Sequence, residues 1–275
     1  MISLLSIAGS DPGGGAGIQQ DLKVFTALGA YGCAVVTALT AQNTLGVHGI
    51  LPIDPSFVSA QIVAVLDDIT LGAVKVGMLA NSEIVATVAK DLEAYSRHGI
   101  IVVDPVMISK NGRPLLDDAG VDEAVRSLFP LAHVLTPNIP EAEHLLGRKI
   151  RDTREMEAAS LELLRFISRK RGPLKSRGVI LKGGHLEGSV PVDVLACDEG
   201  VFQMAGERVE TTHTHGTGCA FSSALAVFLA AGDPIPKAAR KAKTFVAEAI
   251  RHACVVGRGI GSVNPAALIT PWEAP

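Results

Sequence analysis

The chain has no Cys-x-x-Cys pair. Its four cysteines, Cys33, Cys197, Cys219 and Cys254, lie far apart, which leaves neither a zinc ribbon nor a disulfide framework and predicts free thiols. Its eight histidines never fall in a His-Glu-x-x-His spacing, so a catalytic zinc site is not expected and any metal arrives with a substrate. Positive charge is not in excess: 25 Lys and Arg against 28 Asp and Glu give a formal net charge of -3. Such a chain has no general attraction for phosphate backbones or anionic lipid, so neither nucleic acid nor membrane is expected as a partner. Met1 to Ser10 lacks the basic start of a signal peptide, and the longest apolar stretch, around Ala220 to Ala231, is too short to span a bilayer. A cytoplasmic protein is the expectation. Long linkers, repeats and low-complexity tracts are also missing, which predicts a single domain over 1–275.

What is present is a sequence 48% apolar, enough for a sizeable core. Short β-branched runs alternate with segments of helical period, the pattern of an α/β fold with helices on both faces of a mostly parallel sheet. Strands are predicted at Ile2–Ala8, Ala34–Leu39, Ala73–Val76, Ile100–Val103, His133–Leu135 and Val179–Lys182, with an edge hairpin from Val192–Ala196 and Val201–Met204. The apolar spacing of Ile18, Leu22, Phe25 and Leu28 predicts a helix ending near Gly29. Asp54-Pro55 reads as an N-cap followed by proline, opening a helix to Leu66, and Asn81 caps one carrying Ile84, Val85, Val88 and Leu92. Further helices are predicted over Glu141–Leu146, Arg154–Ile167, Cys219–Ala231 and Lys237–Cys254. The basic run Arg169 to Arg177 reads as a solvated loop.

Polar or glycine-rich material follows the predicted strands: Gly9–Gly17, Thr40–Thr44, Gly77-Met78, Asp104–Met107, Thr136–Glu141 and Lys182–His185. Ligands of open α/β sheets collect at such carboxyl ends, so one site built from many loops is expected. The first loop is not a dinucleotide fingerprint. Its spacing is Gly13-Gly-Gly-Ala-Gly17, and the second strand ends in Thr40, Ala41 and Gln42 rather than an acid. No Gly-Lys dipeptide exists either, so a P-loop is excluded. The anion cradle is instead predicted at Thr212-His-Thr-His-Gly-Thr-Gly-Cys219, immediately before an apolar helix. There, glycine-freed N–H groups and the helix dipole converge. Cys219 falls in the first helical turn, where the dipole favours a thiolate. Asp104 and Glu141 are the candidate magnesium carboxylates, and Lys182 the candidate cation facing a transferred phosphate.

Taken in order, Ile7-Ala-Gly-Ser-Asp, Gly14-Gly-Ala-Gly-Ile-Gln, Thr40-Ala-Gln-Asn-Thr, Val76-Gly-Met-Leu, Asp104-Pro-Val-Met, Thr136-Pro-Asn-Ile-Pro-Glu-Ala, Leu181-Lys-Gly-Gly-His and Thr214-His-Gly-Thr-Gly-Cys cover nearly the whole chain. On these motifs it resembles the hydroxymethylpyrimidine (phosphate) kinases of thiamine biosynthesis, within the ribokinase-like superfamily. The resemblance implies a ribokinase-like three-layer sandwich, a homodimer, and ATP with Mg2+. It also implies phosphorylation of 4-amino-5-hydroxymethyl-2-methylpyrimidine and then of its monophosphate; a monovalent cation is a further possibility. It implies that Gln42 hydrogen-bonds the aminopyrimidine edge, that Asp21 and Gly9 border the hydroxymethyl group, and that Met78 and Val106 line the pocket. Gly216, Gly218 and the Cys219 N–H would form the anion hole, with Cys219 in the place where sugar kinases carry an aspartate base. Asp104, Asn138, Glu141, Lys182, Thr212, Thr217 and Lys243 would serve the nucleotide and its metal. His213 departs from the asparagine expected in many relatives, next to the nucleotide site. Pyridoxal kinase is the nearest alternative reading. Gln42 speaks against it, because an amide both donates and accepts and so matches a ring nitrogen beside an exocyclic amine. A dinucleotide oxidoreductase and a non-catalytic pyrimidine-binding regulator are the readings from other classes.

Overall fold

A computed structural model describes residues 1–109, 112–168, 176–184 and 190–269. Nine strands form one sheet: β1 (Ser3–Ser10), β2 (Tyr31–Asn43), β3 (Gly46–Pro52), β4 (Ala73–Val76), β5 (Ile100–Val103), β6 (Val134–Leu135), β7 (Gly178–Leu181), β8 (Val192–Cys197) and β9 (Gly200–Ala205). Their spatial order is β3-β2-β1-β4-β5-β6-β7-β8-β9. The six strands from β2 through β7 pair in parallel, while β3 on one side and the β8–β9 hairpin on the other run antiparallel.

The strand residues alternate between two cores because successive side chains point to opposite faces. Leu5, Ile7, Val74, Val76, Ile101 and Val103 pack on one face, against α2 (Pro55–Leu66), α3 (Ser82–Leu92), α5 (Ile139–Leu146) and α6 (Thr153–Ile167). Leu4, Ala73, Val102 and Ile180 point the other way, toward α1 (Gly17–Ala27), α7 (Thr217–Ala230) and α8 (Ile235–Arg251). Each fully buried Leu or Ile contributes about 1.5–3 kcal/mol to this three-layer arrangement. The predicted caps form: the side chains of Asp54 and Asn81 accept from the N–H groups of Ser56 and Ile84.

Three features differ from the sequence expectation. Residues 40–43 are not a loop, because β2 continues to Asn43 by pairing with β3, with Thr40 opposite Ile50 and Gln42 opposite Val47. Gly46, Gly49 and Pro52 dilute the β pattern of that edge strand. Residues 118–131, which carried no predicted element, form α4 (Asp118–Glu123), capped by Asp117, and then a π turn and a 3-10 turn. Arg177 is buried rather than solvated, donating to the carbonyls of Pro130 and Ile167; the rest of that basic run, 169–175, lies outside the described residues except Ser176, as does His185.

Candidate functional site

The strand order reverses around β1, with β2 on one side and β4 on the other, so the crevice rule places ligands beyond the carboxyl ends of these strands. A cavity of about 670 Å³ lies there. It is lined by Gly9, Gln42, Met78, Asp104, Val106, Asn138, Glu141, Lys182, Gly216, Thr217, Gly218, Cys219 and Lys243, thirteen predicted site residues from loops far apart in sequence. Gly9 makes room for the Met78 thioether, since a Cβ there would sit 2.7 Å from the sulfur.

The run expected to cradle an anion is built by two interlocked loops. Gly216, the N-cap of α7, has φ +78, and a Cβ on it would lie 1.9 Å from the carbonyl oxygen of Gly15. Only glycine fits both constraints. A Cβ at Gly218 would meet Lys182 Nζ at 3.4 Å and Asp104 Oδ2 at 3.5 Å, so the start of α7, the lysine and the aspartate face one small volume. Thr217 Oγ1 donates to the Thr214 carbonyl at 2.8 Å.

Lys182 Nζ donates to Asp104 Oδ1 at 2.8 Å, and Thr136 Oγ1 donates to the same oxygen at 3.1 Å. Burial works to raise the Asp104 pKa, but Lys182 and Lys75 outweigh it and hold the carboxyl below its ordinary value. Glu141 completes a capping box with Asn138: its carboxylate accepts from the Asn138 N–H at 2.8 Å, and Asn138 Oδ1 accepts from the Glu141 N–H at 2.9 Å. Burial pushes Glu141 up to about 7; Lys182 opposes this and the negative charge of Asp104 adds to it. Two buried carboxylates in this state fit magnesium, which relieves their repulsion and prefers oxygen ligands with retained waters. At the far end Lys243 Nζ donates to Asp193 Oδ2 at 2.6 Å.

Beneath the cavity lies a buried ion pair. Lys75 Nζ donates to both Asp21 oxygens, at 2.8 and 3.0 Å, and both side chains are fully buried. Ser6 and Ser223 donate to the same carboxylate at 2.6 and 2.7 Å. Asp21 is thus saturated below the floor and does not line the cavity; Lys75, absent from the sequence expectation, does. The signal for it was a cation inside the four-residue strand Ala-Val-Lys-Val. The thiolate expected at Cys219 is also corrected. Burial pushes the thiol up to about 11, with Lys75 opposing and Asp21 and Asp104 reinforcing the rise, so the helix start does not prevail.

Two residues of the anion run lie elsewhere. Thr212 is exposed and outside the cavity lining, which takes Thr211 and Thr214 instead. His213 does not line the cavity either; its Nδ1 accepts from the Gly261 N–H at 2.9 Å and pins the C-terminal segment. His215, also missed in the sequence, reaches the cavity: its Nε2 lies 3.1 Å from Asp11 Oδ2 and 3.1 Å from the Gln42 amide. Asp11 meanwhile accepts from the N–H groups of Gly13, Gly15 and Ala16 at 2.8, 3.1 and 2.9 Å, shaping the first glycine-rich loop.

Comparison with known proteins bears on this architecture. The chain is 48% identical over 262 residues to the thiamine biosynthesis bifunctional protein ThiED of Geobacter sulfurreducens, covering 95% of this chain but 52% of that protein, so it spans about half of that relative. It is 45% identical to the hydroxymethylpyrimidine/phosphomethylpyrimidine kinase of Haemophilus influenzae, covering 95% of both. Among solved structures, the pyridoxal kinase of Staphylococcus aureus in complex with AMP-PCP and pyridoxal superposes with a TM-score of 0.85 at 31% identity, over 97% of this chain and 94% of that one. The sequence pattern of one family, phosphomethylpyrimidine kinase, runs through residues 11–264, from Asp11 in the first loop past the whole of the α7 cradle. That match spans nearly all the segments that supply the cavity walls, and the chain belongs to the phosphomethylpyrimidine kinase family.

Proposed function

We propose that this chain transfers the γ-phosphoryl of ATP to the hydroxymethyl group of 4-amino-5-hydroxymethyl-2-methylpyrimidine and then to the resulting monophosphate. The observation that carries the reading is the single cavity that holds the Gln42 amide together with the start of α7 and the Lys182–Asp104 pair. An amide reads a heterocycle edge, while a helix start and a lysine neutralise phosphate.

Transfer of a phosphoryl group proceeds through a loose transition state, so catalysis consists mainly of alignment and charge neutralisation. Lys182 is held ionised because its attraction to Asp104 and Glu141 outweighs the burial that works against its charge. The N–H groups at Gly218 and Cys219 add the dipole of α7. Asp104 and Glu141 would hold Mg2+, which when bound supplies charge neutralisation at the phosphates. Among the described residues no group of three or more His, Cys, Asp or Glu is placed to enclose a metal alone, which suits an ion completed by phosphate oxygens and water. Cys219 takes the hydroxyl proton through its minor thiolate form, beside the Lys75 ammonium that favours that form. The chain works as one kinase domain and as a homodimer, as its family resemblance implies. No described helix is long and apolar enough to cross a membrane.

Phosphorus NMR of a mixture of the pyrimidine alcohol, ATP and Mg2+ tests the reading: monophosphate and then diphosphate signals are expected, and ATP left intact overturns it. Pyridoxal phosphorylation is the second reading, favoured by the TM-score of 0.85 to a pyridoxal kinase. A kcat/KM higher for pyridoxal than for the pyrimidine would establish it instead.

A further inference from the structure

The Asp11–His215–Gln42 chain contains a hydrogen-bonding conflict whose resolution has a chemical consequence. Asp11 Oδ2 only accepts, so the His215 Nε2 that lies 3.1 Å from it carries a proton. The nitrogen end of the Gln42 amide lies against this same Nε2, at 3.1 Å, which sets donor against donor. The other end meets a second contradiction. Thr40 has one hydroxyl proton, and Ser10 O, 2.9 Å away, can only accept it. Toward Gln42, 3.3 Å away, the Thr40 oxygen is therefore an acceptor, yet the amide oxygen faces it. Half a revolution of the amide about Cγ–Cδ removes both conflicts at once, without moving a carbon. The oxygen then shares the Nε2 proton with Asp11 in a three-centre bond, and the NH2 donates to Thr40.

The imidazole is not free to choose otherwise. A Cβ on Gly15 would lie 2.5 Å from His215 Cδ2, so the ring is seated against bare backbone, and its main chain is fixed by bonds from the His215 N–H to Gly261 O at 3.1 Å and from the Val263 N–H to His215 O at 3.0 Å. Asp11 is held in turn by three N–H donors of the glycine-rich loop.

We propose that His215 is a specificity-determining positioning residue: by carrying its proton on Nε2 under the control of Asp11, it fixes the Gln42 amide with its acceptor on the His215 side and its donor on the Thr40 side. The free lone pair and the free N–H then face the cavity in one order only. A heterocycle that presents a ring nitrogen acceptor beside an exocyclic amine binds in one orientation, amine toward His215 and ring nitrogen toward Thr40. Its lactam analogue, with a ring N–H beside a carbonyl, presents the reverse order and is rejected. This substrate consequence rests on the aminopyrimidine reading above; the tautomer and the amide orientation do not.

Two experiments separate these layers. Nitrogen-15 NMR of the wild-type imidazoles, with His215 assigned by comparison with His215→Gln, is expected to place a bound proton on Nε2; an Nδ1–H tautomer with bare Nε2 overturns the proposal whatever the substrate. Steady-state kinetics then compare the aminopyrimidine alcohol with its 4-oxo analogue. Losing one fixed hydrogen-bonding partner changes discrimination by about 10- to 100-fold, so His215→Ala is expected to shrink the kcat/KM ratio of the two by that factor, chiefly through KM. His215→Gln, whose NH2 donates to both Asp11 and Gln42, is expected to restore most of the ratio. A His215→Ala enzyme with wild-type discrimination overturns the proposal. A wild type that phosphorylates neither alcohol refutes the aminopyrimidine reading and leaves the NMR result to decide the role of His215.

Discussion

Replacing Lys75 by Met removes one half of the ion pair under the cavity floor, and the cost follows from its surroundings. The pair is fully buried and its shortest contact is 2.8 Å. At an effective dielectric constant of about 20 the attraction at this distance is about 6 kcal/mol. Part of that offsets the desolvation of the ammonium, which disappears with the lysine, while the Asp21 carboxylate stays buried with Ser6 and Ser223 as its remaining donors among the described residues. Breaking a buried pair from one side costs about 3–5 kcal/mol, a large share of a total stability of about 5–15 kcal/mol. At about 2–4 °C per kcal/mol for a domain near this size, Tm falls by about 10 °C. The assay is calorimetric or circular-dichroism melting of Lys75→Met, Asp21→Asn and the double variant. Asparagine keeps the shape but not the charge, so the double variant is expected to regain more than half of the Lys75→Met loss, a coupling energy of at least about 2 kcal/mol. A Lys75→Met protein melting within 3 °C of wild type, about 1 kcal/mol, or strictly additive losses, would refute the reasoning.

Cys219→Ala is expected to lower kcat by about two orders of magnitude. Because burial pushes the thiol up to about 11, the wild-type rate should climb with pH through 9 and the variant rate should stay flat; equal turnover removes Cys219 from the mechanism. Glu141, pushed up to about 7 by burial, binds a proton below that pH in competition with Mg2+. The Mg2+ requirement should therefore ease as pH rises from about 6 to about 8, a dependence that Glu141→Gln abolishes. The raised folded value also means that Glu141 favours the fold at low pH and loses that contribution as pH rises through about 7, so Glu141→Gln should gain more Tm at pH 8.5 than at pH 5.5. Gly216→Ala puts a Cβ into the Gly15 carbonyl at a backbone φ of +78 and should lower ATP affinity at least tenfold by equilibrium binding, about 1.4 kcal/mol or more.

The parts of this molecule legible in its sequence are those governed by local rules. The short apolar run Ile2–Ala8, the proline after Asp54 and the Gly-Thr-Gly run before α7 each carry their own signal, and each element appears close to where it was expected. What escaped depends on partners distant in the chain. β3 exists because β2 offers it a ladder, and a seven-residue strand containing two glycines and a proline carries little β signal by itself. His215 acquires a role only through Asp11 and Gln42, 204 and 173 residues away. Cys219 was misjudged for a related reason: the dipole of its own helix is local and visible, whereas the burial and the Asp21 and Asp104 charges that raise its pKa arrive from other segments. Asp21, expected to border the hydroxymethyl group, lies beneath the cavity instead of on its surface, because Ser6, Lys75 and Ser223, which saturate it, belong to three other elements.

The contact of Gly216 with the Gly15 carbonyl joins chain segments separated by some two hundred positions. Closing so long a loop costs entropy that only the packing of both segments offsets, so the first glycine-rich loop and the start of α7 depend on each other for their shape. Each of the two loops is therefore missing a wall until the other arrives, and a change at Gly15 is felt at the start of α7 as directly as a change at Gly216 itself.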